Sequence, residues 1–325
     1  MKKIALIGEI HPDGINILKN NEYEVVNITD FSDENLLKQL KDVDGIGLRT
    51  AQLNKQVLSN CNSLKIISRH GVGYDNLDLD FLNKNKIALA ITGTANSVSV
   101  CEHVMTMFLY LYKIINKSDQ LVRVGKFKDK KTLPDFFELY NKNILILGFG
   151  RIGKALAKRC LGFESNIYVY DPFVDKKIIL ENNCKQIDLI EGLEIADLIS
   201  IHLPLNNSTK NIISKNEFLK MKKNCVVVNT SRGGIINEKD LFWALKNNKI
   251  YGAGIDVYET EPPETNNPLF KLDNIVLSPH NAALTLECRK RMSIETCENI
   301  INYLENKSNL NVNNIVNKEK INLDI

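Results

Sequence analysis

The sequence predicts an α/β chain built on parallel sheets, in two domains of which one is discontinuous. Its 325 residues exceed what one hydrophobic core usually organises. Short apolar runs, many of them β-branched, alternate with amphipathic stretches of helical length along nearly the whole chain, as in strands joined by helical crossovers. Two more helix-length stretches, Ser97 to Asn116 and Thr285 to Glu305, fit neither series of strands and read as connections between lobes. The first lobe is therefore completed by the C-terminal stretch, and the expected division is 1–98 with 287–325, around a middle domain of 99–286.

In order, the first lobe's strands are read at Lys3 to Ile7, Glu24 to Asn27, Gly45 to Leu48, Lys65 to Ser68 and Ala88 to Ile91, with helix-like segments between them. After Lys142 the runs become more continuously apolar, which marks strands buried on both faces. They are Ile144 to Leu147, Ile167 to Tyr170, Leu198 to Ile201, Val226 to Asn229, Gly252 to Val257 and Ile275 to Leu277. A Pro-rich turn, Glu259 to Pro268, separates the last two.

Composition narrows the function. The hydrophobic fraction of 44% and charged fraction of 25% are those of an ordinary globular protein. No apolar run reaches the ~18 residues of a membrane span, and the short N-terminal run ending at Glu9 reads as a buried strand rather than a signal peptide. A net charge of +3, evenly spread, gives no basis for nucleic-acid binding. The seven cysteines are scattered, never C-x-x-C, and read as reduced thiols of a cytoplasmic protein with no metal site.

The strongest motif is Gly148-Phe149-Gly150-Arg151-Ile152-Gly153, which directly follows a strand and precedes the amphipathic Lys154 to Cys160. In this setting Gly148 allows the tight turn, Gly150 lets backbone approach a pyrophosphate, and Gly153 lets helix and strand pack closely. The helix N-terminus then offers N–H groups to the phosphates. Asp171, eighteen residues beyond Gly153 at the next strand end, is placed to accept hydrogen bonds from an adenosine ribose. A 2′-phosphate would meet that carboxylate, and Pro172 and Phe173 supply no arginine, so the expected cofactor is NAD.

Three later fragments each follow a strand: Asn229 to Gly234, Asp256 to Pro262, and Ser278 to Ala282. Ligands bind beyond the carboxyl ends of strands in such sheets, so Arg232, Glu261 and His280 are candidates to converge. Reduction of a 2-oxo acid needs a cation for the carboxylate and an acid for the forming alkoxide. Arg232 has the planar, permanently charged fork for the first task. His280, with an ordinary pKa of about 6.5, can donate in one direction and accept in the other. Glu261 would orient the imidazole.

On these residues the chain resembles the D-2-hydroxyacid dehydrogenase family, most of all its short phosphoglycerate dehydrogenase and hydroxypyruvate reductase members. Arg69-His70-Gly71-Val72-Gly73-Tyr74-Asp75-Asn76, Thr94 to Glu102 and His202-Leu203-Pro204-Leu205 extend the likeness over nearly the whole chain. The segment Phe136 to Asn143 departs from the family's usual spacing.

The resemblance implies a Rossmann NAD-binding domain inserted into a flavodoxin-like substrate-binding domain. It implies Arg232, Glu261 and His280 as the catalytic residues, with Thr230 and Asp256 against the nicotinamide carboxamide and His202 and Pro204 on the adenine side. It also implies that the backbone of Val72 and Gly73 holds the substrate carboxylate, and that Arg49 and Arg69 can reach a substrate phosphate. A homodimer is expected, with lobe closure that excludes water and no amino-acid-binding regulatory domain.

A formate dehydrogenase needs no proton donor and usually carries glutamine where Glu261 stands. The competing reading from another class is an NADH-sensing binding protein on the same fold, which would keep the same residues. His11, His70 and His103 show no partner in the sequence and read as surface or core histidines.

Overall fold

The computed structural model describes residues 1–323. The chain forms two compact units, Met1–Asn96 with the chain from Leu284 onward, and Ser97–Ala283.

The first unit begins with β1 (Lys3–Ile7), α1 (Pro12–Asn20), β2 (Glu24–Ile28), α2 (Asp33–Gln39), β3 (Gly45–Leu48), α3 (Lys55–Ser59), β4 (Ile66–Arg69), α4 (Leu79–Lys84) and β5 (Ala88–Ile91). Its sheet is wholly parallel, in the order β2-β1-β3-β4-β5. Alternate residues serve opposite faces: Ala5, Ile7, Ile46 and Ile67 enter one core layer, Ile4, Leu6, Ile66 and Ala88 the other. Both faces are buried, which explains the unbroken apolar runs.

The second unit runs through α5 (Ser97–Lys113), α6 (Ile115–Arg123), β6 (Asn143–Leu147), α7 (Arg151–Gly162), β7 (Asn166–Tyr170), α8 (Lys176–Glu181) and β8 (Lys185–Gln186). It continues with α9 (Leu189–Ile195), β9 (Leu198–Ile201), α10 (Lys215–Lys220), β10 (Val226–Asn229), α11 (Glu238–Lys246), β11 (Gly252–Ile255) and β12 (Ile275–Leu277). The parallel sheet has the order β12-β11-β10-β9-β6-β7-β8. Strand order reverses about β6, which creates a switch point beside β9 where loops diverge and a crevice opens.

Helix α5 lies on this sheet, burying Val104, Phe108 and Tyr112 against Ile144, Ile146 and Val228. Read from sequence as one connecting helix to Asn116, it stops at Lys113, because Ile114 takes a left-handed conformation (φ +42°) and α6 starts at an angle of 56°. No single helix among the described residues is long and apolar enough to cross a membrane.

The last long helix, α12 (Leu286–Leu304), returns to the first unit, with Cys297, Ile300 and Ile301 on the layer that holds Ile4 and Leu6. Thr285 caps it by accepting from Cys288 N at 3.2 Å. It crosses α1 so closely that a Cβ on Gly14 would run into the Ser293 carbonyl. Beyond it the chain covers the open edge of β5: Ile315 bridges Ala90, Val316 N donates to Leu89 O at 2.8 Å, and Leu89 N donates to Asn317 Oδ1 at 2.9 Å. An edge left bare there would invite pairing with another chain.

Candidate active site

The turn after β6 shows three glycines with three different reasons to lack a side chain. Gly148 has φ +93°, and a Cβ there would stand 2.6 Å from the His202 carbonyl oxygen. At Gly153 a Cβ would collide with the Gly148 carbonyl, so this glycine lets α7 sit down on the turn. Gly150 differs: a Cβ would meet nothing within 4 Å. The space above it is open, at the start of a helix whose N-cap has no side chain to satisfy its first-turn donors. This is the cradle a pyrophosphate requires. Arg151 is exposed and Ile152 half-buried in that first turn.

Asp171 follows β7 and faces back to the turn. Its carboxylate accepts from Phe149 N at 2.8 Å and from Phe173 N at 2.9 Å. It therefore fixes the Gly-rich turn as well as lining an open cavity of about 370 Å³. Three acids, Asp171, Asp188 and Glu191, and one cation, Lys176, line that cavity. Lys176, five residues beyond Asp171, is a basic residue of this cavity that Pro172 and Phe173 do not announce. The excess of acids still disfavours a phosphate there.

Two enclosed polar atoms stand at neighbouring strand ends. His202 follows β9 and Thr230 follows β10, in register with each other because Ile201 pairs with Asn229. His202 Nε2 shares a hydrogen bond of 2.8 Å with Ser200 Oγ, whereas its Nδ1 and the Thr230 hydroxyl have no protein partner. Burial holds the His202 imidazole down, at a pKa of about 3, so it is neutral at physiological pH. Buried polar groups without partners are rare in native proteins. Together with the open Gly150 cradle they fit an NAD molecule lying along these strand ends. Pro204 is exposed, its carbonyl accepting from Thr209 Oγ1 at 2.5 Å.

Arg232, Glu261 and His280 follow β10, β11 and β12, which are adjacent in the sheet. Asn229 organises the first loop: its Oδ1 accepts from Ser231 N at 3.0 Å and its Nδ2 donates to Arg232 O at 2.8 Å. Arg232 Nη1 donates to Ser231 O at 2.7 Å. Gly233 lies so close to Tyr258 that a Cβ would run into its carbonyl, which binds the β10 loop to the β11 loop.

In the β11 loop, Tyr258 N donates to Glu261 Oε1 at 3.0 Å, and Glu261 Oε2 stands 2.7 Å from His280 Nδ1. A carboxylate can only accept, so Nδ1 carries the proton and Nε2 is left for another partner. The imidazole is half exposed, which gives a reactant access. His280 has φ +50°, a left-handed conformation that a non-glycine residue keeps only when held. Its N donates to Asp256 O at 2.8 Å.

Asp256 itself is fully buried. Its carboxylate accepts from Ser278 Oγ at 2.5 Å, Asn281 N at 2.9 Å and Ala282 N at 3.1 Å. The residue that the family resemblance sets against the cofactor is thus also the anchor of the His280 turn. This explains why β11, read from sequence to Val257, ends at Ile255: the chain leaves the strand to bind that turn.

The remaining expected residues lie in the first unit. Arg69 donates from Nε to Gly73 O at 2.6 Å and from Nη1 to Leu48 O at 2.8 Å, so its guanidinium fixes the half-buried Val72–Gly73 loop. Arg49 donates from Nη1 to Glu9 O at a longer 3.3 Å. His70 is buried with Nε2 unpartnered, and burial, assisted by the Arg49 charge, lowers its pKa to about 4. His11 caps α1, accepting from Asp13 N at 3.3 Å. His103, silent in the sequence, meets Ser278.

Residues 105–282 match the family model described as "D-isomer specific 2-hydroxyacid dehydrogenase, NAD binding domain". The chain is 35% identical over 320 residues to D-3-phosphoglycerate dehydrogenase of Archaeoglobus fulgidus, an alignment covering 98% of this chain and 60% of that protein. It is 35% identical over 305 residues to hydroxypyruvate reductase of Thermotoga maritima, covering 93% of this chain and 98% of the relative. It thus spans only about three fifths of the length of the phosphoglycerate dehydrogenases that it matches. D-lactate dehydrogenase of Aquifex aeolicus, solved with NAD and lactic acid, superposes with a TM-score of 0.84 at 25% identity, covering 96% of this chain and 98% of that one. Fold, Gly-rich turn and alignment agree, and the chain belongs to the D-isomer specific 2-hydroxyacid dehydrogenase family, with that family's NAD-binding domain in its second unit.

Proposed function

We propose that this protein is an NAD-dependent dehydrogenase that interconverts a small 2-oxo acid and its D-2-hydroxy acid, with 3-phosphoglycerate and glycerate (as hydroxypyruvate) the leading substrates. The observation that carries the reading is the His280–Glu261 pair, 2.7 Å apart and half exposed at the end of β12. NADH, when bound, supplies the hydride. His280 Nε2 gives its proton to the carbonyl oxygen in reduction and takes it back in oxidation, while Glu261 stabilises the charged imidazole. Arg232 holds the substrate carboxylate and orients the carbonyl. Gly148, Gly150, Arg151, Ile152 and Gly153 hold the pyrophosphate, Asp171 the ribose, and Thr230 with Asp256 the carboxamide end.

Arg49, Arg69, Val72 and Gly73 are the proposed substrate contacts of the first unit. Arg69 already spends two donors on backbone carbonyls, so Arg49 is the better candidate for a phosphate. A homodimer is supported by the exposed apolar side chains of Ile115, Val122, Val124 and Phe127.

The test is loss of NADH absorbance with glyoxylate, hydroxypyruvate, phosphohydroxypyruvate, pyruvate and 2-oxoglutarate, with NADPH in parallel. The proposal expects turnover with NADH and a preference for phosphohydroxypyruvate or hydroxypyruvate. Tight NADH binding without turnover on any acid would replace the enzyme with an NADH sensor.

A further inference from the structure

His103 has no part in the chemistry above, yet the structure joins it to the catalytic turn. It sits on α5 between the buried Val100, Val104 and Met107, with its ring one quarter exposed. Its Nε2 stands 3.0 Å from Ser278 Oγ and 3.9 Å from Asp256 Oδ1. Ser278 Oγ lies 2.5 Å from the same Asp256 oxygen.

The direction of each bond follows from what the groups can donate. An ionised carboxylate only accepts, and a hydroxyl has a single proton. Ser278 gives its proton to Asp256, so Ser278 Oγ accepts from His103, and Nε2 is the protonated nitrogen of that ring. The chain of bonds runs from His103 through Ser278 to Asp256. From there the carboxylate receives Asn281 N and Ala282 N, the two amides that follow His280.

We infer that His103 is a positioning residue: through Ser278 it orients the Asp256 carboxylate, which holds His280 in its left-handed conformation toward Glu261. The inference rests on the dehydrogenase reading of His280. A carboxylate that receives three donors, Ser278 Oγ, Asn281 N and Ala282 N, has little freedom to turn. Without His103, Ser278 Oγ loses the donor that fixes its rotamer, and the turn gains an alternative arrangement. Networks of this kind act as a unit, so removing either end should cost about the same as removing both.

The experiment compares His103→Leu, His103→Gln, Ser278→Ala and the double variant His103→Leu/Ser278→Ala. Measured are kcat and KM for the best 2-oxo acid, the NADH dissociation constant by fluorescence, and hydrogen exchange of the Ser278–Ala282 peptide. Leucine should lower kcat about tenfold and raise the NADH dissociation constant by a smaller factor. Glutamine, which can donate to Ser278, should recover most of the rate. The double variant should be no slower than the slower single one, and exchange at Asn281 and Ala282 should quicken in the leucine variant but not with glutamine.

Wild-type kcat in the leucine variant, or losses that multiply in the double variant, would overturn the positioning role. If the wild-type chain turns over no 2-oxo acid, the dehydrogenase reading fails instead. Amide exchange then decides alone: faster exchange in the leucine variant supports His103 as the anchor, and unchanged exchange overturns it.

Discussion

A single carboxylate oxygen 2.7 Å from Nδ1 makes the two ring nitrogens of His280 inequivalent, and the proposed proton transfer at Nε2 depends on that division. His70 illustrates the opposite use of an imidazole. Buried with Nε2 unpartnered, its pKa falls from 6.5 to about 4. The unfolded chain therefore binds this proton more readily than the folded one. Stability from His70 is fully present above about pH 6.5 and is lost as pH falls toward about 4, by up to about 3 kcal/mol. Urea unfolding at stepwise lower pH should show this loss, and His70→Gln should flatten that window; an unchanged profile in the variant would remove His70 as its source. Arg232, Glu261 and His280 were legible in the sequence because each stands a few residues past a recognisable strand. His103 was not, since its partner Ser278 is 175 residues away and nothing local marks the pairing.

The Gly-rich turn separates folding from binding within one element. A methyl group at Gly153 meets the Gly148 carbonyl, while one at Gly150 meets open space. Gly153→Ala should lower the unfolding free energy by about 1–3 kcal/mol through overpacking. Gly150→Ala should leave the melting temperature unchanged and weaken NADH binding about tenfold or more, as the methyl enters the pyrophosphate's space. Calorimetry and a fluorescence titration of both variants check the pair; equal melting losses would show that Gly150 is structural too. Most strands could be read to within a residue because burial on both faces makes them continuously apolar. The exceptions are β11, which ends two residues before its apolar run does, and β8, whose two exposed residues, Lys185 and Gln186, carry no hydrophobic signal. Likewise the break between α5 and α6 falls at Ile114, which has neither glycine nor proline to announce it.

In the whole molecule, two parallel sheets were legible from the alternation of strands and helices, and the inserted order from the two long helices at Ser97 and Leu286. What local patterns could not show was how α12 and the segment to Asn317 complete the first unit, because those contacts join residues more than two hundred positions apart. The proposed activity depends on the imidazole at the end of β12 transferring a proton to a substrate, several strands along the same sheet edge from the Gly-rich turn after β6. The most direct measurement compares His280→Ala with the wild-type chain for NADH binding and for NADH oxidation by the preferred 2-oxo acid. The account predicts unchanged NADH affinity and a kcat lowered by a factor on the order of 10² to 10⁴. Turnover within a few fold of the wild-type rate would contradict it.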